Sequence, residues 1–276
     1  MSIFHAIVLG LVQGLTEFLP ISSSGHLILA PWLFGWNDFS NVETQRAFDA
    51  ALHLGTLVAV LFYLRAELVP YVREGIKVVV VPKKANITIG RRAWMFVLSA
   101  VPAGIAGALA EDWITRKLGT PALIAISLMV FGVVLVWADR QTGTRDLDSF
   151  STRDALLIGA AQVLALNPGT SRSGITITAA RKFGFSRDAA ARVSFLMSVP
   201  VIGGAVLLKL TKLASDGIPD GLIIPMIAGI ISAGISGWIA MWGMIRLLRS
   251  RSFTPFVMYR FVAGIAVLAL LSTSFR

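Results

Sequence analysis

Six long apolar segments constrain the fold of this 276-residue chain more than any other feature. Each is close to the roughly 20 residues that a helix needs to cross the hydrocarbon core of a bilayer. Over the whole chain only 14% of residues are charged, against about 25% in soluble domains. We therefore predict an all-α polytopic membrane protein. The predicted transmembrane helices are residues 48–64, 93–110, 121–138, 193–210, 222–245 and 256–273.

Two further apolar stretches, residues 3–30 and 154–180, are interrupted in the middle by Pro, Gly and Ser. Each is too long for one regular helix and too interrupted for two full crossings. Irregular backbone at membrane depth is tolerated only where it is buried in protein or lines a water-filled cavity. We predict that both stretches form re-entrant helix–loop–helix hairpins.

The net charge of +10 is carried by short segments between apolar ones, which argues against nucleic-acid binding. With two re-entrant hairpins, 17 of the 25 basic residues fall on one side of the membrane and 6 on the other. The positive-inside rule makes the richer side cytoplasmic. Both termini and the entry of the first hairpin are then outside, and the second hairpin enters from the cytoplasm. The chain has no cysteine, and its start, "MSIFHAI", lacks the basic region of a cleaved signal peptide.

The two interrupted stretches resemble each other. Residues 6–25 align with residues 155–174 at a constant offset, so we predict one membrane domain (1–276) with repeats at about 1–140 and 150–276. Each repeat holds three crossings, an odd number, so the second repeat is inverted, and sites in such proteins lie where the repeats meet. The identical pairs are Ala6/Ala155, Gly10/Gly159, Gln13/Gln162, Leu15/Leu164, Ser22/Ser171, Ser24/Ser173 and Gly25/Gly174.

The first interruption carries a carboxylate, hydroxyls and an imidazole. A carboxylate such as Glu17 within the membrane is costly and indicates function. Gln13 lies one helical turn earlier, and two oxygen ligands so placed suit a hard cation such as Mg²⁺ or Ca²⁺. The alternative is that Glu17 only satisfies free backbone N–H groups of the hairpin. Ser23 near His26 suggests covalent or acid–base catalysis, the alternative being a helix cap and a turn.

The second interruption, "NPGTSRSGIT" at 167–176, is a tight turn that opens a helix. Backbone N–H groups at such a helix start bind phosphate, and the planar guanidinium of Arg172 matches phosphate oxygens. The alternative is a snorkelling or structural arginine. A carboxylate, a cation, hydroxyls and an arginine together suit phosphoryl transfer on a lipid-linked phosphate.

Three further residues are weaker candidates. Asp49 and His53, one turn apart, could line the same cavity, although a lone histidine is more often a satisfied interior residue. Arg260 is either a second phosphate contact or an anchor at the membrane interface, and the sequence leaves both open.

Both interruptions match known motifs. "QGLTEFLPISSSGH" (13–26) and "PGTSRSGIT" (168–176) resemble the two signatures of the undecaprenyl pyrophosphate phosphatase family, also called bacitracin resistance proteins. The resemblance covers essentially the whole chain. It implies a bacterial inner-membrane enzyme, dependent on a divalent cation and open to the outer face. Such an enzyme hydrolyses undecaprenyl diphosphate to the monophosphate and so recycles the lipid carrier for peptidoglycan synthesis.

The resemblance also implies a role for each matched residue. Gln13 and Glu17 are expected to hold or position the metal, and His26 to act as acid–base group or to stabilise the transition state. Ser23 is the expected nucleophile, and the alternative is a water molecule activated by His26 or Glu17. Members often have Glu where this chain has Gln13, so the diphosphate itself is a candidate source of metal ligands. A polyprenyl-phosphate transporter or flippase is the alternative function, since inverted repeats are equally typical of transporters. Whether two copies form a homodimer is left open. The residues expected to bind the phosphates are Ser22, Ser171, Arg172, Ser173, Thr176 and Arg260.

Overall fold

The chain folds into helices in the computed structural model, which describes residues 1–39, 42–217 and 221–273. Within these ranges no strand forms, and one isolated bridge joins Arg145 to Phe185. Short 3₁₀ turns lie at Pro82–Lys84, Leu147–Ser149 and Val163–Leu166. The α-helices are α1 (Ile3–Phe18), α2 (Ser23–Phe34), α3 (Val42–Tyr63), α4 (Arg65–Val80), α5 (Ile87–Leu118), α6 (Pro121–Asp139), α7 (Thr152–Gln162), α8 (Arg172–Lys182), α9 (Arg187–Asp216), α10 (Ile223–Leu248) and α11 (Thr254–Leu271).

Six of these helices are long and apolar enough to cross a membrane, which confirms the predicted set and makes the chain a multi-pass membrane protein. They are α3, α5, α6, α9, α10 and α11. The helix α9 begins six residues before its predicted apolar start. Ser186 caps it there, and Arg192 pairs with Asp188 one turn away, so polar residues extend the helix beyond the apolar part.

The two interrupted stretches each form a pair of short helices, α1–α2 and α7–α8. The outer ends of each pair lie together. The rings of His5 and Trp36 stack with centroids 3.9 Å apart, which joins the start of α1 to the end of α2. Arg145 donates to Asp154 at 3.0 Å and to the carbonyl of Phe183 at 2.9 Å, which joins the start of α7 to the end of α8. The first and last residues of each helix pair therefore lie close together.

Small residues let α1 approach α10 closely. A Cβ on Gly14 would lie 2.0 Å from the Ser236 hydroxyl, so only glycine fits there. Ser232 donates to the carbonyl of Ile7 at 2.8 Å across the same interface. In the second half α7 packs on α5 in the same way. A Cβ on Gly159 would lie 2.5 Å from a carbonyl oxygen of α5, and close approach of this kind is typical of membrane helices.

Ion pairs gather the connections between helices at one end of the molecule. Asp139 at the end of α6 accepts from Arg187 at 2.6 Å and lies 3.5 Å from Arg181. Arg192 of α9 pairs with Glu67 of α4. These contacts bring together the segments that charge predicts to be cytoplasmic.

The charged segment 65–92, between the first two predicted transmembrane helices, is not a short connection but contains a helix of its own. This helix is α4, in which charged residues interrupt the apolar ones, so that no apolar run is long enough to cross a membrane. Glu74 ties α4 to α5, since its carboxylate accepts from Asn86 N at 2.8 Å, from Lys77 at 3.0 Å and from Arg73 at 2.9 Å. The Asn86 N–H and the Lys77 ammonium lower the pKa of Glu74 to about 2, so it stays ionised at neutral pH.

Candidate active site between two interrupted helices

The two interruptions touch each other directly. The Ser22 hydroxyl accepts a hydrogen bond from Gly169 N at 3.0 Å, and the Ser173 hydroxyl donates to the carbonyl of Leu19 at 2.8 Å. Gly169 also packs closely against α6. Its φ is +93°, and a Cβ there would lie 2.6 Å from the carbonyl oxygen of Ile124, so this position requires glycine. The sequence prediction that the two loops face each other is thus matched by contact between them.

The same strained cap opens the helix in each half. Ser22 and Ser171 both have φ of +76°, and they are the only non-glycine residues with positive φ among those the structure describes. Each caps its helix, accepting from the backbone N–H of Gly25 or Gly174. Such backbone costs about 1–3 kcal/mol per residue and concentrates at functional sites. The predicted correspondence of these two serines therefore extends to their backbone conformation.

Glu17 is the hub of the site. It is buried, and its carboxylate accepts from the Ser23 hydroxyl at 2.5 Å, from Gln13 Nε2 at 3.0 Å and from Arg172 Nη2 at 2.8 Å. His53 Nε2 lies 3.7 Å from the same carboxylate. The amide of Gln13 and the hydroxyl of Ser23 from the first stretch, and the guanidinium of Arg172 from the second, thus meet at Glu17. The contacts of the His26 ring are to Ser22 and Tyr259 instead.

The weaker candidate pair also lies here. His53 Nδ1 donates to the backbone carbonyl of Asp49 at 2.7 Å, since a carbonyl only accepts. This bond turns Nε2 of His53 towards Glu17. The side chain of His53 therefore lies beside Glu17, and the backbone carbonyl of Asp49 orients it.

Gln13 and Glu17 present oxygen atoms that fit a hard cation. Gln13 uses its Nε2 on Glu17, which leaves its buried Oε1 without a hydrogen-bond partner. An amide oxygen beside a carboxylate is a donor set typical of Mg²⁺ or Ca²⁺. No cluster of three or more His, Asp, Glu or Cys residues that could hold a metal occurs within the described ranges. The donor set fits a cation that takes its remaining ligands from phosphate and water, as Mg²⁺ commonly does.

His26 is held at both ring nitrogens. Nδ1 lies 2.7 Å from the carbonyl of Ser22 and must donate to it, because a carbonyl only accepts. The neutral ring then has Nε2 free to accept from the hydroxyl of Tyr259, 2.7 Å away, and the two rings stack with centroids 5.6 Å apart. Sequence reasoning missed Tyr259, which lies 233 residues from His26 and carries no local signal.

Arg260 has a role that the sequence did not indicate. It is fully buried, and its guanidinium donates to backbone carbonyls of both loops and of α6. The bonds reach Pro20 at 3.0 Å, Gly169 at 2.9 Å and Leu128 at 2.7 Å. A guanidinium buried in this way does not reach lipid head groups, so it is not the anchor that the sequence offered as one alternative. Arg260 braces the two loops, and its predicted contact with phosphate stays a prediction.

The other predicted phosphate ligands lie at the start of α8. Ser171 accepts from Gly174 N at 3.0 Å, and Ser171 and Ser173 are linked through their hydroxyls at 3.0 Å. Thr176 donates to the carbonyl of Arg172 at 2.8 Å and lies 2.8 Å from the hydroxyl of Ser194. Their contacts with phosphate stay predictions. Ser194, which the sequence did not single out, also accepts from Arg172 Nη1 through its carbonyl at 3.1 Å.

The family model of the bacitracin resistance protein BacA matches residues 6–266, a range that includes both loops. The chain belongs to this family. The undecaprenyl-diphosphatase of Geobacter sulfurreducens is 46% identical over 274 residues, which is 98% of this chain and 99% of that protein. The proteins of the same name from Geobacter metallireducens and Hahella chejuensis are each 44% identical, over 97% and 98% of this chain and 98% and 99% of their own length. The family predicted from the two motifs is confirmed.

Proposed function

We propose that this chain is an undecaprenyl-diphosphatase, which hydrolyses undecaprenyl diphosphate to undecaprenyl phosphate and inorganic phosphate. The full-length similarity to relatives of that name supports the substrate. The observation that carries the chemistry is Glu17, which contacts the Ser23 hydroxyl and the Arg172 guanidinium at once. The reaction returns the lipid carrier to peptidoglycan synthesis and underlies bacitracin resistance.

Substrate binding exchanges the partners of an ion pair. Arg172 and Glu17 neutralise each other in the structure, 2.8 Å apart. The diphosphate takes the guanidinium of Arg172, together with backbone N–H groups at the starts of α2 and α8. Glu17 and Gln13 would hold a divalent cation, Mg²⁺ or Ca²⁺, which would neutralise charge on the diphosphate. Each charged residue keeps an opposite charge beside it throughout.

The hydroxyl of Ser23 is placed as the nucleophile. It donates to Glu17 at 2.5 Å, so its proton has an acceptor when the oxygen attacks the terminal phosphorus. The bond from that phosphorus to the bridging oxygen breaks, undecaprenyl phosphate leaves, and water then releases inorganic phosphate from the serine. His26 follows Ser23 by one helical turn and supplies the acid–base group. Direct attack by water, with Ser23 orienting it, is the competing route.

Phosphate release is the direct test of this function. Purified protein in detergent is incubated with a C55 or C15 prenyl diphosphate, with Mg²⁺ and with excess EDTA. We expect release that requires the cation. Binding of the lipid without release would instead support the alternative, a polyprenyl-phosphate transporter, since a carrier needs the Arg172 clamp but no nucleophile.

Replacing Ser23 with alanine separates the two routes. If Ser23 is the nucleophile, we expect Ser23→Ala to lower phosphate release by at least about 10³-fold. The exposed neighbour Ser24 provides the matched control, and Ser24→Ala should stay within about threefold of wild type. Release from Ser23→Ala reduced by only about tenfold would contradict a covalent role and favour attack by water.

Tyr259 should act through His26. We expect Tyr259→Phe to lower kcat by about tenfold with little change in KM, because one hydrogen bond that orients the imidazole is lost. Tyr63→Phe, on α3 and outside the cluster, is the control. An unchanged kcat, or an equal loss in both variants, would remove Tyr259 from the site.

The finer architecture is also proposed. We propose that α1–α2 and α7–α8 are re-entrant hairpins of two inverted repeats in the bacterial inner membrane, with the site open to the outside. Two observations support this proposal. The outer ends of each hairpin lie together, and the first helix of each hairpin packs on a helix of the other repeat, α1 on α10 and α7 on α5. Cysteines placed at Lys84 and at Lys117 test it, since only the second should react with an impermeant thiol reagent outside the cell. Residues 274–276, predicted to be outside, lie beyond the described residues.

A further inference from the structure

An apolar groove lies between α4, α5 and α9, away from the two loops. Its cavity of about 240 Å³ is lined by side chains such as Tyr71, Ile76, Val97 and Pro200. Trp94 stands at its edge, half exposed, with its indole N–H donating to the carbonyl of Gly75 at 3.0 Å. The groove thus has an apolar lining suited to a hydrocarbon chain, with a half-exposed tryptophan among its lining residues.

The helix α4 has the character of a helix that lies in the membrane interface. It is not among the candidate transmembrane helices. One face exposes large apolar side chains, including Val69, Val72, Ile76 and Val79, each more than half exposed. Arg73 and Lys77 lie beside this apolar face, one and two helical turns after Val69, and the buried Glu74 holds both. A helix that exposes apolar side chains next to basic ones places the apolar groups in lipid and the charges among head groups.

Basic residues surround the turn between α4 and α5. Segment 65–92 holds seven basic and only two acidic residues, and both acidic residues are engaged within the protein. Lys83 and Lys84 are exposed in the 3₁₀ turn, and Arg91 is exposed one helical turn before Trp94. A positive rim therefore adjoins an apolar groove, which is the chemistry of a lipid with an anionic head group.

We infer that this groove binds an anionic phospholipid, with one acyl chain along α4, α5 and α9 and its head group on Lys83, Lys84 and Arg91. The charge decides between this occupant and a neutral lipid. Each basic residue near an anionic surface contributes roughly a fivefold preference. The site lies apart from the loops that carry Glu17 and Arg172, so it holds whether or not the proposed hydrolysis is correct.

Quenching of Trp94 tests this inference. The protein is reconstituted in phosphatidylcholine vesicles that contain, at one fixed mole fraction, either brominated phosphatidylglycerol or brominated phosphatidylcholine. The signal of Trp94 is isolated as the difference between wild type and Trp94→Phe. We expect brominated phosphatidylglycerol to bind beside Trp94 at least about fivefold more strongly, since even one of the three basic residues contributes that much. Equal quenching by the two lipids would overturn the inference.

Two controls separate a local site from general charge. The double variant Lys83→Gln with Lys84→Gln should lose most of the preference for phosphatidylglycerol. The control, Arg140→Gln with Arg153→Gln, removes the same charge from two exposed residues outside the groove and should keep that preference. Loss in both variants would show a bulk charge effect and contradict a defined site. On the unmodified protein, raising salt to about 1 M shortens the Debye length to about 3 Å and should abolish the preference.

Discussion

Phosphate release should fall by at least about 10³-fold when Arg172 is replaced by glutamine. An arginine that clamps a transferring phosphoryl group contributes about 10³–10⁵ in rate. Arg172 reaches the site from the second loop, 2.8 Å from Glu17, so its loss also leaves a buried carboxylate uncompensated. The rate is measured with radiolabelled prenyl diphosphate on folded protein, and thermal unfolding in detergent is followed in parallel.

The matched variant Arg172→Lys keeps the charge but not the planar fork. We expect it to recover the thermal stability and only part of the rate, because lysine offers a point charge where arginine binds two oxygens. Full activity in Arg172→Gln, with the protein folded, would exclude Arg172 from the phosphate site and leave it a structural residue.

The second large effect should come from Glu17→Gln, which keeps the size of the side chain and removes its charge. We expect release to fall by at least about 10³-fold, because the proposed cation loses a carboxylate ligand and Ser23 loses its proton acceptor. Binding of Mn²⁺, followed by its paramagnetic signal, should weaken in parallel. This second readout does not depend on turnover.

Asp148→Asn is the control for Glu17→Gln. It removes one carboxylate that pairs with Arg92 at the end where the helix connections gather. Since Asp148 is 77% exposed, its loss should leave rate and Mn²⁺ binding unchanged. Retained Mn²⁺ binding in Glu17→Gln would contradict the metal role of Glu17 even if activity were lost.

The sequence predicted the six transmembrane helices because their signal is local. Uninterrupted apolar length is a property of each segment by itself, and only the helix ends shifted, as at Arg187, where a cap and an ion pair extend α9. The helix α4 was missed for the same reason. Its apolar residues are spaced at helical intervals between charges, which a search for apolar runs does not detect.

The candidate site was predictable where motifs carry rare residue types in an apolar setting. Glu17, Ser23 and Arg172 stand out in that way, and the structure brings them together. The contact of Tyr259 with His26 and that of Arg260 with the loops depend on the tertiary packing of α11 against the first loop. No local sequence pattern predicts such contacts.

The alignment of residues 6–25 with residues 155–174 also shows how the two interrupted stretches differ. Gln162 is the counterpart of Gln13 and is buried with neither amide atom hydrogen-bonded, but the position matching Glu17 is Leu166. One half therefore supplies the carboxylate and the other the arginine. This division explains why neither motif alone assembles the predicted chemistry.

The most direct test of a single site built by two loops is a double-mutant cycle on phosphate release. Glu17→Gln, Arg172→Gln and the double variant are compared with wild type on one radiolabelled substrate. Residues that act as one unit are strongly non-additive, so we expect the double variant to be about as slow as the slower single variant. Losses that multiply in the double variant would mean that the two residues act independently, and would contradict a shared site.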